Sequence, residues 1–186
     1  RSSSLEAASS VTVGSSTYRG PSQFQCDGTA DDVQIQAAID YVAGVGGGTV
    51  QCTGGVFSIS ADVVMKDDVT LRGAGPATVF QPTTGSISVL YAVGTVGTYL
   101  NEITIGDLAI DRNGQSSITM IEATYVNRLK IENVTIDADS GAGYIQATLC
   151  PGVRVRNITI TDLRGNGLEV VSSNEAQIDT IRVIGD

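Results

Sequence analysis

The chain has 186 residues, 20 acidic against 11 basic side chains for a net charge of −9, and neither histidine nor tryptophan. Lack of histidine excludes a Ser-His-Asp or Cys-His catalytic pair, a His-ligated zinc and a histidine proton shuttle, and the acidic balance argues against nucleic acid as a partner, which needs a basic face. No apolar run approaches the ~18 residues of a membrane span, and the length fits one domain with a real core.

Cys26, Cys52 and Cys150 are scattered, none in a CxxC spacing, and read as buried small hydrophobes. A Cys26–Cys52 bridge stays open as the alternative, and the odd count leaves one thiol over. The opening Arg1-Ser-Ser-Ser carries neither Met nor an apolar leader core, so a processed or trimmed chain is expected. Residues 1–25 read as a Ser/Gly/Thr-rich arm with one short strand near residues 11–13, or as a segment that docks on a neighbour. Residues 26–186 form the domain proper.

A helix is expected over about residues 30–43. Thr29 is placed to cap it, and Asp31 and Asp32 suit its positive end. Ile35, Ala38, Ile39 and Val42 recur at i, i+3, i+4 and i+7, one apolar stripe. Gly44 and Gly46-Gly47-Gly48 stop it. Coils then run over about residues 49–186, beginning with short strands at 49–52, 56–59, 63–65 and 69–71, separated by turn residues.

From about residue 100 the chain repeats itself. Residues 103–110 (ITIGDLAI), 129–136 (LKIENVTI), 153–160 (VRVRNITI) and 176–183 (AQIDTIRV) align, starting 26, 24 and 23 residues apart. A period in the twenties marks a solenoid. Apolar residues alternate within each segment, then shift phase by one at the polar fifth position: Asp107, Asn133, Asn157 and Thr180. A tight corner there turns both flanking strands inward. Asn and Asp tolerate the left-handed corner conformation, and stacked amides can hydrogen-bond from coil to coil. A third strand precedes each pair, at residues 121–124, 145–148 and 168–171. Three strands per repeat of roughly 24 residues make a parallel β-helix. Leucine-rich repeats share the period but need a Leu framework and an LxxN asparagine, which are missing. At ~4.8 Å per coil, about five or six coils fit.

The stretch CDGTADDVQIQAAID (26–40), with GGGTV (46–50), GVFSI (55–59) and VTLRGAG (69–75), resembles the opening of pectate-lyase-like right-handed parallel β-helix proteins. That superfamily includes polysaccharide lyases, glycoside hydrolases, alginate epimerases and phage tailspikes. The resemblance covers about residues 26–80 and rests on architectural motifs. It implies an all-β, single-stranded right-handed parallel β-helix with an N-terminal capping α-helix across the first coil. An uncovered end would expose unpaired backbone and apolar side chains. Fold alone does not assign a reaction.

The resemblance also implies a saccharide groove along the outer face of the third strand. Glu122, Gln146 and Glu169 align there one coil apart and alternate with apolar neighbours, so they should point outward. Glu122 and Glu169, two coils apart at roughly 9.6 Å, approach the ~6.5–9.5 Å carboxyl separation of inverting glycosidases and are the candidate catalytic pair. Gln146, Tyr144 and Arg164 are the candidate substrate-binding residues, set against a plain reading as solvated polar groups. Asp111, Asp137, Asp139 and Asp162, with Arg112 and Arg164, form a second acidic set. No metal ligands are assigned, and Ca²⁺ enters only if the chemistry is lyase-like. An arginine base, as resembling lyases use, would need an unusually depressed pKa. Tyr91, Tyr99 and Tyr125 join Tyr144 as aromatic platforms, although Tyr125 reads equally as packing. The sequons Asn133-Val-Thr135 and Asn157-Ile-Thr159 coincide with the corner ladder and read as structural.

The expected function is therefore a carbohydrate-directed domain that binds and cleaves a polysaccharide by hydrolysis or lysis. The acidic balance disfavours bare polyanionic substrates. The alternative is a non-catalytic phage-appendage or cell-surface stalk, and an epimerase is a third reading. Extracellular, cell-surface or virion placement fits all three, with polysaccharide as partner and no nucleic acid. Residues 183–186 carry no capping segment, so either truncation or self-association through the last coil is expected.

Overall fold

The computed structural model describes residues 10–139, 141 and 144–185. Backbone pairing between successive coils builds the molecule. The long strands Thr104–Asp111, Lys130–Asp137, Arg154–Thr161 and Gln177–Ile184 run parallel and in register, so that Ile105, Ile131, Val155 and Ile178 stand in one row. The same sheet continues through Val69–Arg72, Gly48–Cys52 and Ser10–Gly14 to Phe24–Gln25. A second parallel sheet stacks Val63–Val64, Ser88–Val93, Thr119–Thr124, Ile145–Thr148 and Leu168–Val171. The result is a parallel β-solenoid of about six turns.

The phase shift read in the repeats is a real corner. Asp107, Asn133, Asn157 and Thr180 have φ of 55°, 55°, 53° and 55°. Each bends its long strand, so residues on both sides of the bend, such as Ile131, Val134 and Ile136, are buried together. The amide of Asn133 donates to Asp107 Oδ1 at 2.7 Å, and that of Asn157 donates to Asn133 Oδ1 at 2.7 Å. Both sequon asparagines therefore serve the ladder. Thr180 keeps the backbone conformation but turns its hydroxyl to Asp179. A second ladder, which the repeats did not signal, runs where Asn127 donates to Asn101 at 2.9 Å and Asp67 accepts from the Asn101 amide.

Isoleucine, valine and leucine fill the interior from coil to coil, continuing below into Phe57, Phe80 and Met65. Full burial of such a side chain stabilises by roughly 1.5–3 kcal/mol. The helix Asp32–Gly44 closes the N-terminal end: Ile35, Ala38, Ile39 and Val42 are buried in the common core. Its start differs from the sequence reading. Thr29 is not the cap; Asp31 stands at that position and makes no side-chain cap bond. Its carboxylate instead accepts from the backbone of Gly28 and Ser58, and Asp32 accepts from the amide and hydroxyl of Ser60. The two acids tie the helix to the strand Gly55–Ile59 below it, and that demand outweighs a local cap. Strand Ser10–Gly14 contributes Val11 and Val13 to the core; residues 1–9 lie outside the described residues. Cys26, Cys52 and Cys150 are all free and buried, so the open bridge is not formed. Burial and the neighbouring Asp31 push the Cys26 thiol up to about 12.

On the outer face before the corner an ionic chain spans four successive coils. Arg72 pairs with Asp107 and, at 2.6 Å, with Glu132. Arg156 donates Nε and Nη2 to the other Glu132 oxygen at 3.0 and 2.7 Å. Arg72 reaches past Gly106, which stands between it and Glu132 in the register. A Cβ on Gly106 would lie 2.7 Å from the Glu132 carbonyl oxygen. Partial burial alone would push the Glu132 carboxyl up, but hydrogen bonds from Arg72 and Arg156 hold it below the ordinary glutamate range. At the far end, the inward-facing Ile178 and Val183 of the last coil are 50% and 55% exposed.

Two outcomes follow for unfolding measurements. Asn133→Ala removes both ladder bonds and forces a Cβ-bearing residue without a local hydrogen bond into the left-handed region, at a cost of about 2 kcal/mol in urea unfolding; Asn133→Gly loses only the ladder and costs about half that. Because the folded Glu132 pKa is depressed, its stabilisation is present above the unfolded value of about 4.3 and fades as pH falls through the lower folded value. Glu132→Gln therefore lowers Tm at pH 7, and the gap to the parent closes in acid.

Candidate functional site

The strands of the second sheet carry the predicted carboxylates, and their alternation explains the placement. In Thr119–Thr124, Ile121 and Ala123 are buried while Glu122 between them is half-buried on the outer side. Ile145 and Ala147 flank Gln146 in the same way. The register aligns Glu122 with Gln146 and Gln146 with Glu169. One coil towards the helix, Tyr91 stands opposite Glu122. An aromatic ring and three polar groups thus form one column across four coils.

Each carboxylate has a polar neighbour, close for Glu122 and at the limit of hydrogen bonding for Glu169. Ser88 Oγ donates to Glu122 Oε2 at 2.5 Å, and Gln146 Nε2 donates to Glu169 Oε2 at 3.5 Å. Two coil steps separate the acids, roughly 9.6 Å between backbones. Tyr144 and Arg164 lie on the turns that lead into this sheet. Tyr144 is half-buried and its carbonyl accepts from the Met120 amide; Arg164 is exposed and its amide donates to Gly141 O. Among the described residues neither side chain hydrogen-bonds to the column, so they border it without joining it.

The second acidic set is dispersed by its own hydrogen bonds. Asp111 accepts from Gln81 Nε2 and the Asn113 amide, and Asp137 accepts from the Asp139 amide. Arg112 donates to Ala138 O and packs where a Cβ of residue 141 would sit. Asp111 and Asp137 do stand in register. Even so, no group of three or more His, Cys, Asp or Glu among the described residues is arranged to hold a metal ion. Among the described residues the four acids are not gathered as a Ca²⁺ donor set. Tyr125 packs edge-to-face on Tyr99 at 5.5 Å, as the packing alternative expects. No described helix is long and apolar enough to cross a membrane.

The sequence reading missed the outer face before the corner, where Arg72, Lys130, Glu132, Arg154 and Arg156 border a groove of about 650 Å³. The signal lies in the repeats, since Lys130 and Arg154 occupy the same place in successive segments, whereas the net charge of −9 averages over a local basic stripe.

No protein-family model matches the chain. It is 29% identical over 166 residues to the mannuronan C5-epimerase AlgE4 of Azotobacter vinelandii, covering 77% of this chain and 29% of that protein. It is also 29% identical over 139 residues to AlgE6 of the same organism, covering 63% and 16%. The chain thus spans less than a third of the curated relatives it matches. Among solved structures, the AlgE6 A-module superposes with a TM-score of 0.65 at 23% identity, covering 85% of this chain and 53% of that one. The tailspike of E. coli bacteriophage HK620 superposes at 0.68 with 14% identity, covering 83% and 31%. The iota-carrageenase of A. fortis superposes at 0.64 with 16% identity, covering 93% and 39%. The chain has the parallel β-helix fold that these epimerase modules, the tailspike and the carrageenase share.

Proposed function

We propose that this chain is a polysaccharide-directed β-helix domain that holds a glycan across its coils along Tyr91, Glu122, Gln146 and Glu169. The single observation that carries this reading is the shared register of those four residues. Tyr91 offers an apolar face to a sugar ring, and Gln146 offers an amide to a hydroxyl. Tyr144 and Arg164 border the glycan from the adjoining turns. The polysaccharide names carried by the relatives support the same reading, and an extracellular or virion-borne setting belongs to it.

Glu122 and Glu169 act as general acid and general base. One donates its proton to the departing glycosidic oxygen while the other takes a proton from the attacking water. Two coil steps, roughly 9.6 Å between backbones, lie just beyond the ~6.5–9.5 Å that separates the carboxyl groups of inverting enzymes. Ser88 holds the Glu122 carboxylate by a short hydrogen bond. A second reading, inversion of configuration at a sugar carbon without cleavage, is favoured by the 29% identity to two mannuronan C5-epimerases. It uses the same column and leaves chain length unchanged.

Turnover on oligosaccharides of mannuronate, carrageenan and a neutral glycan is followed by chain-end assay and by proton NMR of the ring carbons' hydrogens. Glu122→Gln and Glu169→Gln each lower the rate by about 10²–10⁴ with binding retained. New chain ends mark cleavage, and altered ring couplings without new ends mark epimerisation. Full turnover in the double variant contradicts the roles of both residues. Binding without any turnover in the parent reduces the chain to a non-catalytic appendage.

A further inference from the structure

The groove before the corner lies on a different sheet from the carboxylate column and has a different chemistry. Thr49, Thr70, Thr104, Lys130, Arg154 and Gln177 form one outward row across six strands, in continuous register. Five coil steps give it a length of roughly 24 Å. Alongside runs the row that holds Arg72, Glu132, Arg156 and, at its far end, Asp179. Both rows line the groove of about 650 Å³.

The charges are unevenly spent. The chain has only 11 Lys and Arg, and Arg72, Lys130, Arg154 and Arg156 all line this groove. Glu132, with its side chain only 12% exposed, lies between Arg72 and Arg156 and neutralises one side of each. Lys130 and Arg154 are different. They face each other directly across adjacent strands, and among the described residues neither has a carboxylate within ion-pairing distance. Like charges directly opposite on neighbouring strands are destabilising. An anion between them removes that repulsion. A protein of charge −9 repels a polyanion elsewhere on its surface, so these cations mark where one can be received.

From this juxtaposition we infer that the Lys130–Arg154 groove is a second glycan site, selective for the anionic groups of an acidic polysaccharide. One carboxylate or sulfate oxygen cluster sits between the Lys130 ammonium and the Arg154 guanidinium, and neighbouring sugar hydroxyls meet Thr70 and Gln177. Glu132 is a positioning residue that holds Arg72 and Arg156 as the groove's lateral wall. The site needs no bond making or breaking. It anchors a charged chain on one face while the carboxylate column addresses a glycan on another. The inference does not rest on the role of Glu122 and Glu169, whose test reads turnover.

The test is calorimetric titration of the intact chain with three probes of matched length: oligomannuronate, a sulfated galactan oligosaccharide and a neutral glucan. Binding of an acidic probe that weakens with added salt, and that falls roughly tenfold or more in the Lys130→Gln/Arg154→Gln double variant, supports the site. The uronate and sulfate arms tell which anion it prefers. Lys66→Gln, a cation beside the helix paired with Asp40, leaves affinity unchanged. Both replaced side chains point outward, and an unaltered thermal melt certifies the fold. Unchanged acidic-glycan affinity in the double variant overturns the inference, as does equal binding of the neutral probe or no binding by the parent. If a duplex oligonucleotide of equal charge binds as tightly and loses as much, the groove is a general polyanion surface, and the glycan assignment is overturned.

Discussion

Everything in this molecule depends on backbone hydrogen bonds between one coil and the next, made parallel and kept in step. A parallel pair alone fixes only spacing. The step is fixed by the single left-handed residue at each corner, because a one-residue slip would turn the apolar face of every following strand to water. Asp107, Asn133, Asn157 and Thr180 share that conformation within a few degrees. Once they stack, every other position in the repeat acquires a column of its own.

Columns convert sequence into surface. Inward columns of Ile, Val and Leu make a continuous core, whereas outward columns accumulate whatever chemistry the repeats carry. On one sheet that chemistry is Tyr91, Glu122, Gln146 and Glu169; before the corner on the other it is Thr, Lys and Arg. Gly106 shows the converse. By leaving its column empty it lets Arg72 reach Glu132 two coils away, joining residues sixty apart in sequence.

The fold was legible in the chain because local preference and global pattern agree. The phase shift at the fifth position needs a left-handed corner, and Asn and Asp are the residues that accept one. The register of Glu122, Gln146 and Glu169 was legible for the same reason. Thr29 misled because the acids that follow it serve the coil below the helix, a tertiary demand that a local cap signal does not carry. The Arg72–Glu132–Arg156 chain could not be read from spacing, since it passes over a missing side chain. The Lys130–Arg154 pair was legible in the aligned repeats and was hidden by an average: the net charge says nothing about where eleven cations sit.

In the proposed function a glycan lies along the outward columns. Amide chemical-shift mapping of the intact chain, titrated with oligomannuronate, tests it most directly. Perturbations are expected only in strips that follow the registers, through residues 91, 122, 146 and 169 on one sheet and 104, 130, 154 and 177 on the other. Perturbations gathered on the capping helix and the corner ladder, with both strips silent, would contradict it.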